Sequence, residues 1–215
     1  MSLAQVAPSP SEVKIYTGLL AAAARGDAVA IDRLLKKGSD PNTRDAYGRN
    51  AAHVATHFGR HGALRLLLRR GTNPNTLERD RYDVITIAAV RNDPRAIRIA
   101  VDAGGKATNI TSRYDGTALI AASHLGNIES VRVLIEAKAP LNHVNNLGWT
   151  ALLEAVILGD GGPRHTAVVK ALVDAGANVN IADRGGVTPL QHAQDRGYRE
   201  IEAILGAVVV VPRPG

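Results

Sequence analysis

Three histidines spaced by four, His53, His57 and His61, are the residues of this chain whose types and spacing most resemble a chemical site. Two imidazoles one helical turn apart project from the same helix face and can share a divalent metal. Gly59 argues against the triplet, because a helix that opens near position 50 stops at that glycine and leaves His61 beyond it. A second stretch, Gly159-Asp-Gly-Gly-Pro163, has the glycine content of a phosphate loop, but no Lys-Ser/Thr pair follows it and no strand pattern precedes it. It reads as a solvent-exposed insertion between two helices. Ser123 and His124 are neighbours in sequence, which is no evidence for a nucleophile and its base. A cluster of arginines, Arg49, Arg60, Arg65, Arg69 and Arg70, is opposed in its own segment only by Asp45 and would attract phosphate or carboxylate groups. The competing reading of that cluster is the solvated outer face of a helix. No catalytic residue, metal ligand or cofactor is assigned.

Composition narrows the remaining classes. The chain has 215 residues, a formal net charge of +6, 3% aromatic residues and no cysteine. Disulfides, thiolate metal sites and a cysteine nucleophile are therefore excluded. The basic excess is N-terminal: residues 1–107 hold 17 Lys/Arg against 10 Asp/Glu, and residues 108–215 hold 9 against 10. No run of about 18 apolar residues exists, so no membrane insertion is expected. Met1-Ser2-Leu3 reads as a replacement start and Ala4–Pro10 as a mature exported N-terminus, which leaves a cytoplasmic and a periplasmic or exported location both open.

What must position any functional residue is a block of about 33 residues that recurs along the chain. Its end is marked by Gly38-Ser-Asp-Pro-Asn42, Gly71-Thr-Asn-Pro-Asn75, Gly104-Gly-Lys-Ala-Thr108, Lys138-Ala-Pro-Leu-Asn142 and Gly176-Ala-Asn-Val-Asn180, at steps of 33, 33, 34 and 38. Its start is clearest at Gly186-Val-Thr-Pro-Leu-Gln-His-Ala193 and recurs at Gly48, Asp115 and Gly148. Within the last block Thr188 can cap a helix, Pro189 suits the first helical position and Gly197 closes it. A second helix follows in each block, amphipathic through sets such as Ile31, Leu34 and Leu35, Ile97 and Ile99, or Val131, Val133 and Leu134. One such pair cannot bury its own apolar face, so the blocks must stack.

These residues resemble the ankyrin repeat, whose pattern is DxxGxTPLHxAxxxG followed by an amphipathic helix and LLxxGAdvN. The resemblance implies an all-α solenoid of six helix-turn-helix repeats joined by β-hairpin-like loops, with terminal repeats as caps. The expected limits are a flexible segment 1–11, one repeat domain 12–207 divided at 12–44, 45–77, 78–111, 112–144, 145–182 and 183–207, and a tail 208–215 whose valines form a strand or a sticky end. The third repeat departs from the pattern, with Arg81, Asp83, Val84 and Thr86 at the Gly, Thr, Pro and His positions, and the fifth carries about five extra residues. His53 falls on the pattern's histidine, which implies a hydrogen bond between loops.

The resemblance also implies a concave groove lined by the hairpin tips and by the two residues before each first helix's closing glycine. The tips give Tyr47, Arg49, Asp80, Tyr82, Arg113, Tyr114, Asn146, Trp149, Arg184 and Val187; the helix ends give His57, Phe58, Val90, Arg91, His124, Leu125, Ile157, Leu158, Asp195 and Arg196. Aromatic residues and arginine dominate binding energy at protein interfaces, and the only Trp and only Phe fall on this surface. The expected partner site is therefore Tyr82, Arg91, Arg113, Tyr114, His124, Leu125, Trp149, Ile157, Leu158 and, from the insertion, Arg164. His165 is expected to face the partner and Thr166 to cap the second helix. In the competing reading Leu125, Ile157 and Leu158 pack between repeats and Trp149 lies against the next hairpin. The function expected is a noncatalytic, monomeric module that binds an unidentified protein. A polyanion or nucleic-acid binder through the N-terminal arginines is the alternative, and a small-ligand binder or enzyme at the insertion is a third.

Overall fold

From the second repeat on, each first helix is opened by a side chain that stands just outside it and accepts orphan N–H groups of its first turn. In the computed structural model, which describes residues 7–209, Asn50, Asp83, Thr117, Thr150 and Thr188 cap α4 (Ala51–His57), α6 (Val84–Val90), α8 (Ala118–His124), α10 (Ala151–Ile157) and α12 (Pro189–Asp195). Asp83 replaces the pattern's threonine and caps as well, its Oδ1 accepting from Thr86 N–H at 2.8 Å. The second helices are α5 (His61–Arg69), α7 (Pro94–Asp102), α9 (Ile128–Glu136), α11 (Pro163–Asp174) and α13 (Arg199–Val209). A leading pair, α2 (Gly18–Arg25) and α3 (Ala28–Lys36), follows a short α1 (Pro10–Ile15). No strand occurs among the described residues, only the isolated bridges Arg44 to Asn50 and Thr111 to Gly116.

The pairs stack into two layers. The first helices touch in the order α2, α4, α6, α8, α10, α12 and the second helices in the order α3, α5, α7, α9, α11, α13. First helices are sandwiched, so every residue of α4 and six residues of α10 are buried, whereas second helices bury one face. Side chains at the start of several second helices then reach back to the end of the first helix of the preceding repeat. Arg60 Nε donates to Ala24 O at 3.2 Å, Asn127 Nδ2 to Ala89 O at 2.9 Å, and Tyr198 Oη to Gly159 O at 2.9 Å. Breaking one such tie loosens the join between two neighbours and leaves the rest, which is how a linear array distributes its stability.

Three expectations are corrected. Ser9 and Pro10 are not loose: Ser9 N–H donates to Glu12 at 2.8 Å and Ser9 Oγ accepts from Glu12 N–H at 3.2 Å, a reciprocal cap that opens α1, while residues 1–6 lie outside the described part. Ala207, Val208 and Val209 continue α13 instead of breaking it, and the rest of the valine and proline tail lies outside the described residues. The insertion becomes mostly helix, since α11 starts at Pro163 after Gly162 and runs 12 residues against nine for α9. Thr166 therefore sits inside the first turn, its hydroxyl bonded to Gly161 O at 3.3 Å, and caps nothing.

Candidate functional site

Every hairpin folds around one side-chain acceptor that collects the N–H groups two and four residues further on. Asp45 takes Tyr47 and Arg49, Glu78 takes Asp80 and Tyr82, Asn145 takes Leu147 and Trp149, and Asp183 takes Gly185 and Val187, all at 2.8–3.0 Å. Ser112 does the same for Tyr114 at 3.2 Å and Gly116 at 3.4 Å. The third residue after each acceptor must turn left-handed, and Gly48, Gly148 and Gly186 do so with φ of 75°, 88° and 77°. Arg81 and Asp115 adopt the same region with φ of 66° and 50° and form an ion pair with each other at 3.4 Å.

This shared geometry lines up the residues that immediately precede the first-helix caps: Arg49, Tyr82, Gly116, Trp149 and Val187. Four carry side chains and one does not. Four residues past the caps a second row reads Val54, Ile87, Ala121, Glu154 and His192. The hairpin of the fourth repeat and α8 thus hold the smallest residue in both rows, and a small pocket opens there. Tyr82, Tyr114 and His124 line it together with Asn145 and Glu154, and threonine and serine hydroxyls form its floor.

The polar wall is preorganised. Glu154 is 4% exposed; its Oε1 accepts from Asn145 Nδ2 at 2.9 Å and its Oε2 from His124 Nδ1 at 3.0 Å. Burial raises the Tyr82 phenol above its ordinary range, with Asp80 and Glu78 adding to the shift. Asp83, behind the pocket, is likewise raised by burial although Asn109 and Thr86 bond to it.

Of the expected partner residues, the pocket gathers Tyr82, Tyr114 and His124. Tyr82 does not project as expected: it is 4% exposed, because the vacancy beside it lets the ring lie inward. Leu125, Trp149, Ile157 and Leu158 are half-buried and belong neither to the apolar core nor to the side chains packed against it. Arg91, Arg113 and Arg164 are exposed; Arg113 bonds Asp80 at 2.8 Å and Arg164 reaches Leu125 O at 3.4 Å. His165 is not a surface group. It is 6% exposed and ties the insertion down, with Nδ1 on Asp160 Oδ1 at 2.9 Å and Nε2 on His124 O at 3.1 Å. Glu154 and Asn145 were missed. Their signal was the alignment of the hairpin and helix rows, where a carboxylate stands beside two vacancies.

The N-terminal residues behave differently. Arg49 is 2% exposed and is held by Asp45 of its own repeat, at 2.7 Å, and by Glu12 of the first, so it does not project from the hairpin as expected. Arg70 pairs with Asp32 of the preceding second helix. His53 is buried between loops: its Nδ1 accepts from Asn50 N–H at 3.0 Å and its Nε2–H donates to Thr76 O at 2.9 Å. Burial lowers its pKa to about 4, and burial beside His53 lowers that of His57 to about 3. His61 opens α5 and meets Asp93 at 2.7 Å, so the three rings do not converge. Among the described residues no group of three or more His, Asp or Glu is placed to hold a metal, and no helix is long and apolar enough to cross a membrane.

Stacked helix pairs joined by hairpins, with polar ties between neighbours, define a repeat scaffold of the kind that binds other proteins. The chain belongs to the ankyrin-repeat family. Family models for ankyrin repeats match residues 85–183 and 19–68. The chain is 32% identical over 187 residues to the ankyrin repeat protein YahD of Escherichia coli (strain K12), covering 86% of this chain and 92% of that one. A crystal structure of an ankyrin repeat domain from Acinetobacter baumannii AYE superposes with a TM-score of 0.85 at 41% identity, covering 89% and 97% of the two chains. An L-asparaginase of Dirofilaria immitis is 30% identical over 181 residues, but these cover 84% of this chain and 30% of that enzyme.

Proposed function

We propose that the protein is a noncatalytic, monomeric binding module whose partner protein lies across the hairpins and first-helix ends of α6 to α11. The observation that carries this reading is the pocket at Gly116 together with the half-buried apolar side chains Leu125, Trp149, Ile157 and Leu158, which the core does not use. Apolar side chains left at a groove beside fixed polar groups are what an interface centre requires. A photo-crosslinker placed at Arg113 should trap a defined partner, and Leu125→Asp with Leu158→Asp should abolish the crosslink while the helical spectrum stays intact. An unchanged crosslink in that double variant would remove the groove from the function.

The polyanion alternative is supported by Arg65 and Arg69, which are exposed on α5. Arg49 and Arg70 no longer contribute to it, since carboxylates hold both. Replacing Arg65 and Arg69 with Glu should leave partner crosslinking intact; loss of micromolar DNA binding in that variant would favour the alternative instead.

A further inference from the structure

The vacancy at Gly116 is not imposed by the backbone. Its φ lies outside the left-handed region, and a Cβ built there meets nothing nearer than Ser112 Oγ at 3.4 Å, an ordinary contact. Gly148, in the neighbouring hairpin, is different: its φ is 88° and its Cβ would fall 2.6 Å from Arg184 Cγ. Glycine at 116 therefore serves to leave space.

The chemistry around that space has one sign. Glu154 is the only carboxylate among the lining residues, and no lysine or arginine lines the pocket. Each Glu154 oxygen accepts one hydrogen bond and keeps a lone pair. His124 shares this wall, its Nδ1 on Glu154 Oε2 at 3.0 Å. The Tyr82 and Tyr114 hydroxyls make no hydrogen bond among the described residues. The clefts between second helices lack this bias, since Arg65 and Arg69 share one with Asp102, and Arg98 shares another with Asp102 and Glu136.

Resting on the binding-module reading above, we propose that this pocket takes the guanidinium of an arginine side chain presented by the partner protein, against the Tyr82 and Tyr114 rings and with its charge on Glu154. A cation relieves the buried carboxylate, and two phenol rings attract it through their faces. Arginine fits better than lysine because its flat guanidinium stacks on rings, is weakly hydrated and carries five donors for a wall made of acceptors.

The test is a nuclear magnetic resonance titration of the whole chain with N-acetyl-arginine methylamide, beside the citrulline analogue, which has the same shape without the charge. Saturable shifts at the Thr117 and Ile120 amides are expected, with arginine bound at least about tenfold more tightly than citrulline. Glu154→Gln keeps the acceptor for Asn145 and should bring arginine down to the citrulline level. Gly116→Val should fill the space and abolish both, with thermal melting confirming that each variant is folded. Equal binding of arginine and citrulline, tighter binding of N-acetyl-lysine methylamide or N-acetyl-glutamate methylamide, no arginine binding, or arginine binding indifferent to both variants would overturn the proposal. The two readings separate cleanly: a crosslinked partner lost with the Leu125 and Leu158 changes but indifferent to Glu154→Gln and Gly116→Val removes the arginine and keeps the groove.

Discussion

The hairpins of the second and fourth repeats use one position in opposite ways. Before the α4 cap stands Arg49, buried and bonded to two carboxylates; before the α8 cap stands Gly116, beside a pocket whose buried carboxylate, Glu154, meets the His124 imidazole and whose lining holds no lysine or arginine. In the first region charge has been consumed by folding, because Arg49 joins α1 and the hairpin through Glu12 and Asp45. In the second it remains on offer. Arg49 is thus structural, and the proposed recognition rests instead on a region of glycine, alanine and one glutamate.

The largest effect should separate the two regions by pH. His53 and His57 hold pKa values of about 4 and about 3 against an ordinary 6.5, because burial disfavours their charged forms. The unfolded chain binds protons first as pH falls, so stability present above pH 6.5 is lost below it, by about 1.4 kcal/mol per pH unit for each ring until the folded values are reached. Glu78 and Asp83, raised by burial, act in the opposite sense lower in the range. Between pH 6.5 and 5 the loss from the two rings is about 4 kcal/mol. Hydrogen exchange should therefore show α4 fraying before α8. His57→Leu should reduce the pH slope by about half, and an unchanged slope would mean that these rings are hydrated.

Arg49→Ala should cost about 3 kcal/mol in urea unfolding at neutral pH, since it strands two carboxylates and releases α1. A loss below about 0.5 kcal/mol, the usual surface value, would place Arg49 among the steering charges and erase the contrast between the hairpins.

The same contrast explains what was legible in the sequence. Helix starts, second-helix faces and the repeat period depend on local residue types, so Thr117, Thr150 and Thr188 announce their caps and Ile97 or Leu134 their burial. Even the His53 bridge between loops is visible, because His53 falls on the histidine of the ankyrin pattern that the chain resembles. Arg49, Tyr82 and His165 were misplaced because their partners, Glu12, the vacancy at Gly116 and the His124 carbonyl, lie in other repeats. A pocket made by two small residues has no motif of its own. It appears only when five hairpins are aligned and the missing side chain is noticed.

Trp149 tests the boundary between site and core. Its ring is half-buried and stands apart from the apolar core, so Trp149→Ala should lower stability by about 1 kcal/mol, between a surface change and a core truncation. A calorimetric loss of about 3 kcal/mol or more would mark the ring as a packing element and move the interface away from it.

The smallest expected effect is also the most discriminating. Gly116→Ala puts a methyl group into the start of the vacancy without strain, since the backbone there is not left-handed and the nearest contact is 3.4 Å. Removing a glycine's freedom from the unfolded chain should raise stability by about 0.5 kcal/mol. Gly148→Ala should do the reverse, because its φ of 88° and the Arg184 side chain 2.6 Å from the new Cβ both oppose it. If folding alone determined these residues, both glycines would be required by it. A melting temperature that rises at 116 and falls at 148 would mean that the chain forgoes available stability at one hairpin to keep a space open. A fall at both positions would make the vacancy a by-product of the turn, and the hairpin of the fourth repeat would then differ from that of the second in shape alone.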